Sequence, residues 1–271
     1  MTALSTLDPR INDFKNSDSG FALTTYSFPT GDAEIVARHI TPQTPISAGG
    51  AKRKNKDKKD MDAATIAIST SRSRTTVRRK AMTFCPTILM TLTFKKNVVD
   101  LDEAWRCFAY FNKLMKFQYG TDWIYVCVPE RQKRGAWHFH LAVTKRFHNK
   151  TWANLHVLWG RAVGKRKGNV DMQLPSKRWG SSGYTWPPKK IAQYLCKYIT
   201  KEANEVEFNK RRFSSAGVKL SPVAGWVSLA FSGISIENFL ESLMGHLSDL
   251  PVEFRYQSQD DDYLNFIYFS T

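Results

Sequence analysis

Residues 123–143 read WIYVCVPERQKRGAWHFHLAV. Two apolar runs, 123–129 and 136–143, flank Arg131-Gln132-Lys133-Arg134-Gly135, a short polar link that ends in glycine. That pattern predicts an antiparallel hairpin. Successive strand residues point to opposite faces, so His138 and His140 share one face while Phe139 turns to the other and into the core. Glu130 ends the first run, where the hairpin carries it across to the histidines. Two imidazoles side by side are half of a metal site. A carboxylate beside them makes three ligands, with positions left for water or a phosphate oxygen. Taken alone, a His-x-His pair is more often structural than ligating.

Outward from the hairpin, residues 87–94 (TILMTLTF), bounded by Pro86 and by Lys95-Lys96-Asn97, read as a buried strand. Asp100 with Glu103 three residues on is a capping-box pattern that opens a helix. Leu101, Ala104, Trp105, Phe108, Phe111 and Met115 give that helix one apolar face, and Gly120 closes it. A helix over about 150–163, a strand near 169–173, a helix from Pro187-Pro188 to about 203 and a strand over 223–231 follow. The order β-α-β-β-α-β-α predicts an α+β fold: a mostly antiparallel sheet with helices on one face, the split βαβ arrangement.

The chain has 271 residues, 40 Lys+Arg against 24 Asp+Glu, and a net charge of +16. A polyanion is therefore the expected partner, since basic surfaces concentrate phosphates. No run approaches a membrane span, and no basic-then-apolar leader opens the chain, so neither membrane nor secretion is expected. Four scattered cysteines, Cys85, Cys107, Cys127 and Cys196, predict reduced thiols in a cytoplasm. Residues 51–80 hold eleven basic and three acidic residues, a net +8. With the Ser-, Thr-, Pro- and Gly-rich stretch before them, they suggest a disordered basic arm over 1–81, either a solvated linker or a DNA-binding arm. A folded domain over 82–235 and a helical, acidic tail over 236–271 complete the expected organisation.

Residues 194–201 read Tyr-Leu-Cys-Lys-Tyr-Ile-Thr-Lys, the unit Tyr-x-x-Lys twice over. Tyr194 and Tyr198 then lie on one helix face about 6 Å apart along the axis, with Lys197 and Lys201 on a neighbouring stripe. Ile191 and Leu195 are positioned to anchor the helix on the core. A phenol with a pKa near 10 is a poor nucleophile, and a metal-polarised phosphate with a nearby ammonium would activate it. The same pattern also suits an amphipathic helix with partly buried tyrosines and snorkelling lysines.

The order TLTF strand, Glu130, His138-Phe139-His140 and tandem-tyrosine helix resembles the HUH endonucleases. More narrowly, it is similar to the two-tyrosine rolling-circle replication initiators of single-stranded-DNA phages and plasmids. The resemblance covers about residues 84–203 and includes Pro129-Glu130 and the Lys-Arg-Gly-Ala-Trp-His-Phe-His stretch. It implies an RRM-like nuclease fold in which His138 and His140, with Glu130, bind Mg²⁺ or Mn²⁺. Tyr194 would attack one DNA strand at an origin, leaving a 5′-phosphotyrosine and a free 3′-OH. Tyr198 would cut in its turn and let the displaced strand be rejoined, while Lys197 and Lys201 bind phosphate or stabilise leaving charge. The partners implied are a single-stranded or supercoiled DNA origin and the polymerase and helicase of a host cell, in whose cytoplasm the protein would work. The chain's nearest approach to a helicase phosphate loop, Gly160 to Arg166, is one residue short and lacks the Ser or Thr. Lys165, Arg166 and Lys167, with Lys177, Arg178 and Trp179, are either an origin grip or a solvated loop. Two other readings stand beside this one: a relaxase or single-strand transposase of the same chemistry, and a non-catalytic nucleic-acid-binding protein.

Overall fold

The computed structural model describes residues 20–40, 63–144, 151–173, 187–201, 211–228, 252–260 and 263–270. The basic run Lys52 to Lys59 and residues Lys177, Arg178 and Trp179 lie outside them. The chain divides into two compact units, one of Lys56–Lys219 and one of Met1–Asn55 with Leu220–Thr271.

The larger unit is α+β. Its elements are α1 (Ala63–Phe84), β3 (Ile88–Phe94), α2 (Leu101–Tyr119), β4 (Tyr125–Arg131), β5 (Trp137–Val143), α3 (Thr151–Val163), β6 (Gly168–Gln173), α4 (Pro188–Lys201) and β7 (Ser214–Ala216). The strands β1 and β2 precede them in the smaller unit. The five strands pair antiparallel throughout, in the order β6-β3-β5-β4-β7. The predicted α2 begins at its cap: the Asp100 carboxylate accepts from the Asp102 amide at 2.9 Å. Glu103, the other half of the expected box, instead bonds Arg166. The Gly120 amide closes the helix on the Lys116 carbonyl, with Gly120 at φ +57°.

Helices cover both faces of the sheet, not one. All seven residues of β5 are buried, which a strand with one solvated face does not allow. On one face α2 and α3 pack over Met90, Leu92, Phe94, Tyr125, Phe139 and Leu141. Phe139 lies at the centre, with ring centroids 4.8 Å from Trp105 and 5.0 Å from Phe108. Each such side chain contributes about 1.5–3 kcal/mol by leaving water. The core indoles keep partners for their N–H groups: Trp159 donates to the Thr93 carbonyl, Trp123 to Asn112 and Trp137 to the Val99 carbonyl. On the opposite face Ile191, Leu195 and Ile199 of α4 and Val77 of α1 pack over Leu89, Val126, Val128 and Ala142.

The arm expected over 1–81 includes folded elements. Residues 63–84 form α1 despite six Ser and Thr between 69 and 76, because Thr70, Val77, Ala81 and Met82 bury one face. The Thr76 and Thr83 hydroxyls donate to carbonyls one turn back, which keeps them from competing with the helix. In the smaller unit β1 (Gly20–Ser27), β2 (Ala33–Ile40), β8 (Val223–Ser228), β9 (Val252–Asp260) and β10 (Tyr263–Ser270) form an antiparallel sheet ordered β8-β1-β2-β10-β9. The β1–β2 turn is set by Gly31 at φ +89° and by the Phe28 amide on the Asp32 carbonyl at 2.9 Å. Two corrections follow. The strand expected over 223–231 belongs to this sheet, paired with β1, and not to the larger unit. Of the tail expected to be helical, residues 252–260 and 263–270 are strands, with a register shift at Tyr263/Leu264. All four cysteines are free thiols. No helix among the described residues is long and apolar enough to cross a membrane.

Candidate active site

The hairpin register builds the floor of the site. Glu130 pairs with His138, and Val128 with His140, across β4 and β5. Thr91 of β3 stands opposite His140 on the other side. Alternation puts Glu130, His138, His140 and Thr91 on the face that α4 covers. Phe139 goes to the aromatic core, as its position between the histidines predicts.

His140 is fixed from three directions. Its Nε2 lies 2.7 Å from Glu130 Oε2, its Nδ1 lies 3.2 Å from Thr91 Oγ1, and the Tyr198 ring lies flat on the imidazole with centroids 4.1 Å apart and planes 6° from parallel. Tyr194 meets the same imidazole edge-on at 5.9 Å. The two phenols meet each other: Tyr198 donates its hydroxyl proton to the Tyr194 oxygen at 2.5 Å. Ile191 and Leu195, buried on the sheet, hold α4 so that this tyrosine stripe overhangs the histidines. Lys201 reaches down from the last turn to donate to Glu130 Oε1 at 2.6 Å. Lys197 is exposed and is not drawn into this cluster.

Burial and neighbouring charge set the protonation of the floor. Burial pushes Glu130 up, but hydrogen bonds from His140 and Lys201 and their charges outweigh it and hold the carboxyl below its usual range. Burial, then the adjacent His140, pushes His138 down to about 4, so it is neutral near pH 7. Its Nε2 is buried and has no hydrogen-bond partner among the described residues. A buried, neutral and unpartnered imidazole nitrogen is costly unless something binds it, and it is in the state a metal ligand requires. By donor type His138, His140 and Glu130 suit a divalent cation. His140 and Glu130 engage each other, however, and among the described residues no three His, Cys, Asp or Glu side chains are gathered as an ion-binding group. Burial, the Tyr194 hydrogen bond and the Glu130 charge all push the Tyr198 phenol above its usual value, so it is the protonated partner of the pair.

Six of the seven site residues expected from sequence thus meet in or beside one cluster: Glu130, His138, His140, Tyr194, Tyr198 and Lys201. Thr91 was not anticipated. The only hint was a polar residue inside the apolar run TILMTLTF, since its partner lies 49 residues away. The region resembling a helicase phosphate loop is not one: Gly160 lies inside α3, and Gly164 starts a short 3-10 turn (Gly164–Arg166).

A sheet with two histidines and a carboxylate on one face, under a helix carrying two tyrosines, gathers the donor types that phosphodiester chemistry uses. Residues 87–203 match the model of a family described as replication-associated protein ORF2. The match spans β3 to just past α4 and contains every residue of the cluster, so this segment is similar to replication-associated proteins. No curated protein and no solved structure matches the chain.

Proposed function

We propose that the protein initiates rolling-circle replication by nicking one DNA strand at an origin through tyrosine transesterification, and later rejoins the displaced strand. The observation that carries this reading is the convergence of the Tyr194 and Tyr198 hydroxyls over the face bearing His138, His140 and Glu130. The similarity of residues 87–203 to replication-associated proteins supports it independently.

In this reading His138 and His140, with Glu130, hold Mg²⁺ or Mn²⁺. The ion supplies positive charge that polarises a phosphate oxygen. The chain's own residues do the rest. Tyr194, the more accessible phenol, is the first nucleophile. Its oxygen bonds to phosphorus as the bond from phosphorus to the 3′ oxygen breaks. The phenolic proton leaves, and the departing oxygen takes up a proton to become the free 3′-OH. The hydrogen bond from Tyr198 favours charge developing on the Tyr194 oxygen during attack. Tyr198, with its ring fixed on His140, attacks in the second round, when Tyr194 is already esterified. Lys201 positions Glu130, and Lys197 is free to meet phosphate.

Supercoiled plasmid carrying the replicon's origin tests the reading. With Mn²⁺ the expected products are nicked circles bearing covalently bound protein, followed by closed single-stranded circles. With EDTA both disappear while gel-shift binding of DNA persists. Nicking that survives EDTA would contradict the metal-dependent mechanism, and linear or strand-transferred products without closed circles would favour a relaxase or transposase.

A further inference from the structure

Three basic segments that are distant in sequence meet at one end of the larger sheet. Lys95 and Lys96 follow β3, Lys165 to Lys167 precede β6, and Arg134 caps the β4–β5 turn. Backbone hydrogen bonds lock them together: the Lys95 amide donates to the Lys167 carbonyl at 2.9 Å and the Lys96 amide to the Arg166 carbonyl at 3.1 Å. The Arg134 guanidinium donates to the Phe94 carbonyl at 3.3 Å. Arg166 is taken by Glu103. Lys95, Lys96, Lys165 and Lys167 are exposed, and among the described residues no carboxylate pairs with any of them.

This arrangement costs the fold and gains it nothing. Like charges on adjacent strands repel. Lys167 adds a backbone cost: at φ +51° and ψ +148° it sits in a region that is essentially glycine's. Gly168 next to it cannot take a side chain, since a Cβ there would come within 2.4 Å of the Trp159 indole, so the strand start cannot shift to relieve the strain. Four unpaired lysines, one held in a strained backbone, are what a polyanion site requires.

The cluster is also in line with the tyrosines. Thr91, which touches His140, and Thr93 lie at alternate positions of β3, and Lys95 comes two residues later. Strand rise puts Lys95 about 13 Å from Thr91. We infer that Lys95, Lys96, Lys165 and Lys167 form a phosphate cradle that grips the DNA strand a few nucleotides from the bond the tyrosines cut. The choice of DNA as occupant rests on the nicking reading above.

Fluorescence anisotropy of labelled oligo(dT) tests it, without metal, on the full chain carrying Tyr194→Phe and Tyr198→Phe. Adding Lys95→Ala, Lys96→Ala, Lys165→Ala and Lys167→Gly together is expected to weaken binding at least about tenfold. The slope of log affinity against log salt should flatten by about 3, at roughly 0.7 counterion per phosphate of a single strand. Lys167→Gly alone should raise Tm while weakening binding, the opposite signs that mark a residue kept for its ligand. Unchanged affinity and slope in a variant with the parent's circular dichroism would overturn the cradle. Should the fourfold variant not fold, a higher Tm with unchanged binding in Lys167→Gly overturns it equally. Binding that depends on the cradle, in a wild-type protein that forms no covalent adduct, would instead sink the nicking reading and leave the cradle standing.

Discussion

His140 is held by Thr91 at one nitrogen, by Glu130 at the other and by Tyr198 on its ring face. Partners of this kind orient an imidazole and set which nitrogen is available. Thr91→Val removes one of them without changing the shape of the site. We expect it to reduce nicking about 10- to 100-fold with DNA binding retained, and a rate equal to wild type would show that Thr91 does not orient His140. His138 gives a prediction of another kind. In the unfolded chain an imidazole titrates near 6.5, whereas burial and His140 hold His138 near 4 in the fold. Between those values the unfolded chain carries more protons, so stability falls as pH drops through 6.5, and the loss ends near 4. The whole step is worth at most about 3 kcal/mol. Urea midpoints of metal-free protein should follow this slope, and His138→Gln should flatten it; parallel profiles would contradict the assignment.

At the scale of elements, what was legible in the sequence was what a local pattern can carry. The hairpin of β4 and β5, the 3.6-residue apolar stripe of α2 and the proline start of α4 each announce themselves within about 20 residues. The meeting of Glu130 with the histidines followed from them, because a hairpin's turn fixes its register. α1 escaped notice since Ser, Thr and Arg there are indifferent helix formers, and its helix is stabilised by α4 and the sheet. β1 and β2 were signalled by Pro29-Thr30-Gly31-Asp32 between β-branched runs, a turn signal overshadowed by the polar composition around it. Anchoring is the element-scale prediction. Leu195 is fully buried between α4 and the sheet, and Leu195→Ala should cost about 2–5 kcal/mol in denaturant unfolding and lower nicking by letting the tyrosine stripe drift. A loss under about 1 kcal/mol would mean that α4 is held elsewhere.

For the molecule as a whole, partners across long sequence distances were not legible. β8 reads as a strand from its own residues, but nothing local says that it joins β1, some 200 positions earlier. Nor did the sequence tell that helices would cover both faces, although the continuous apolar runs of β3, β4 and β5 carry that information in retrospect. The second face matters for function, because it brings α4 and its tyrosines over the histidines. That juxtaposition is the central claim, and a denaturing gel tests it most directly. The protein is incubated with Mn²⁺ and single-stranded DNA from its own replicon, comparing wild type with Tyr194→Phe, Tyr198→Phe and the double variant. A detergent-resistant, nuclease-sensitive protein–DNA band should form with wild type, weaken most with Tyr194→Phe and vanish in the double variant. A band of undiminished intensity in the double variant would contradict the account.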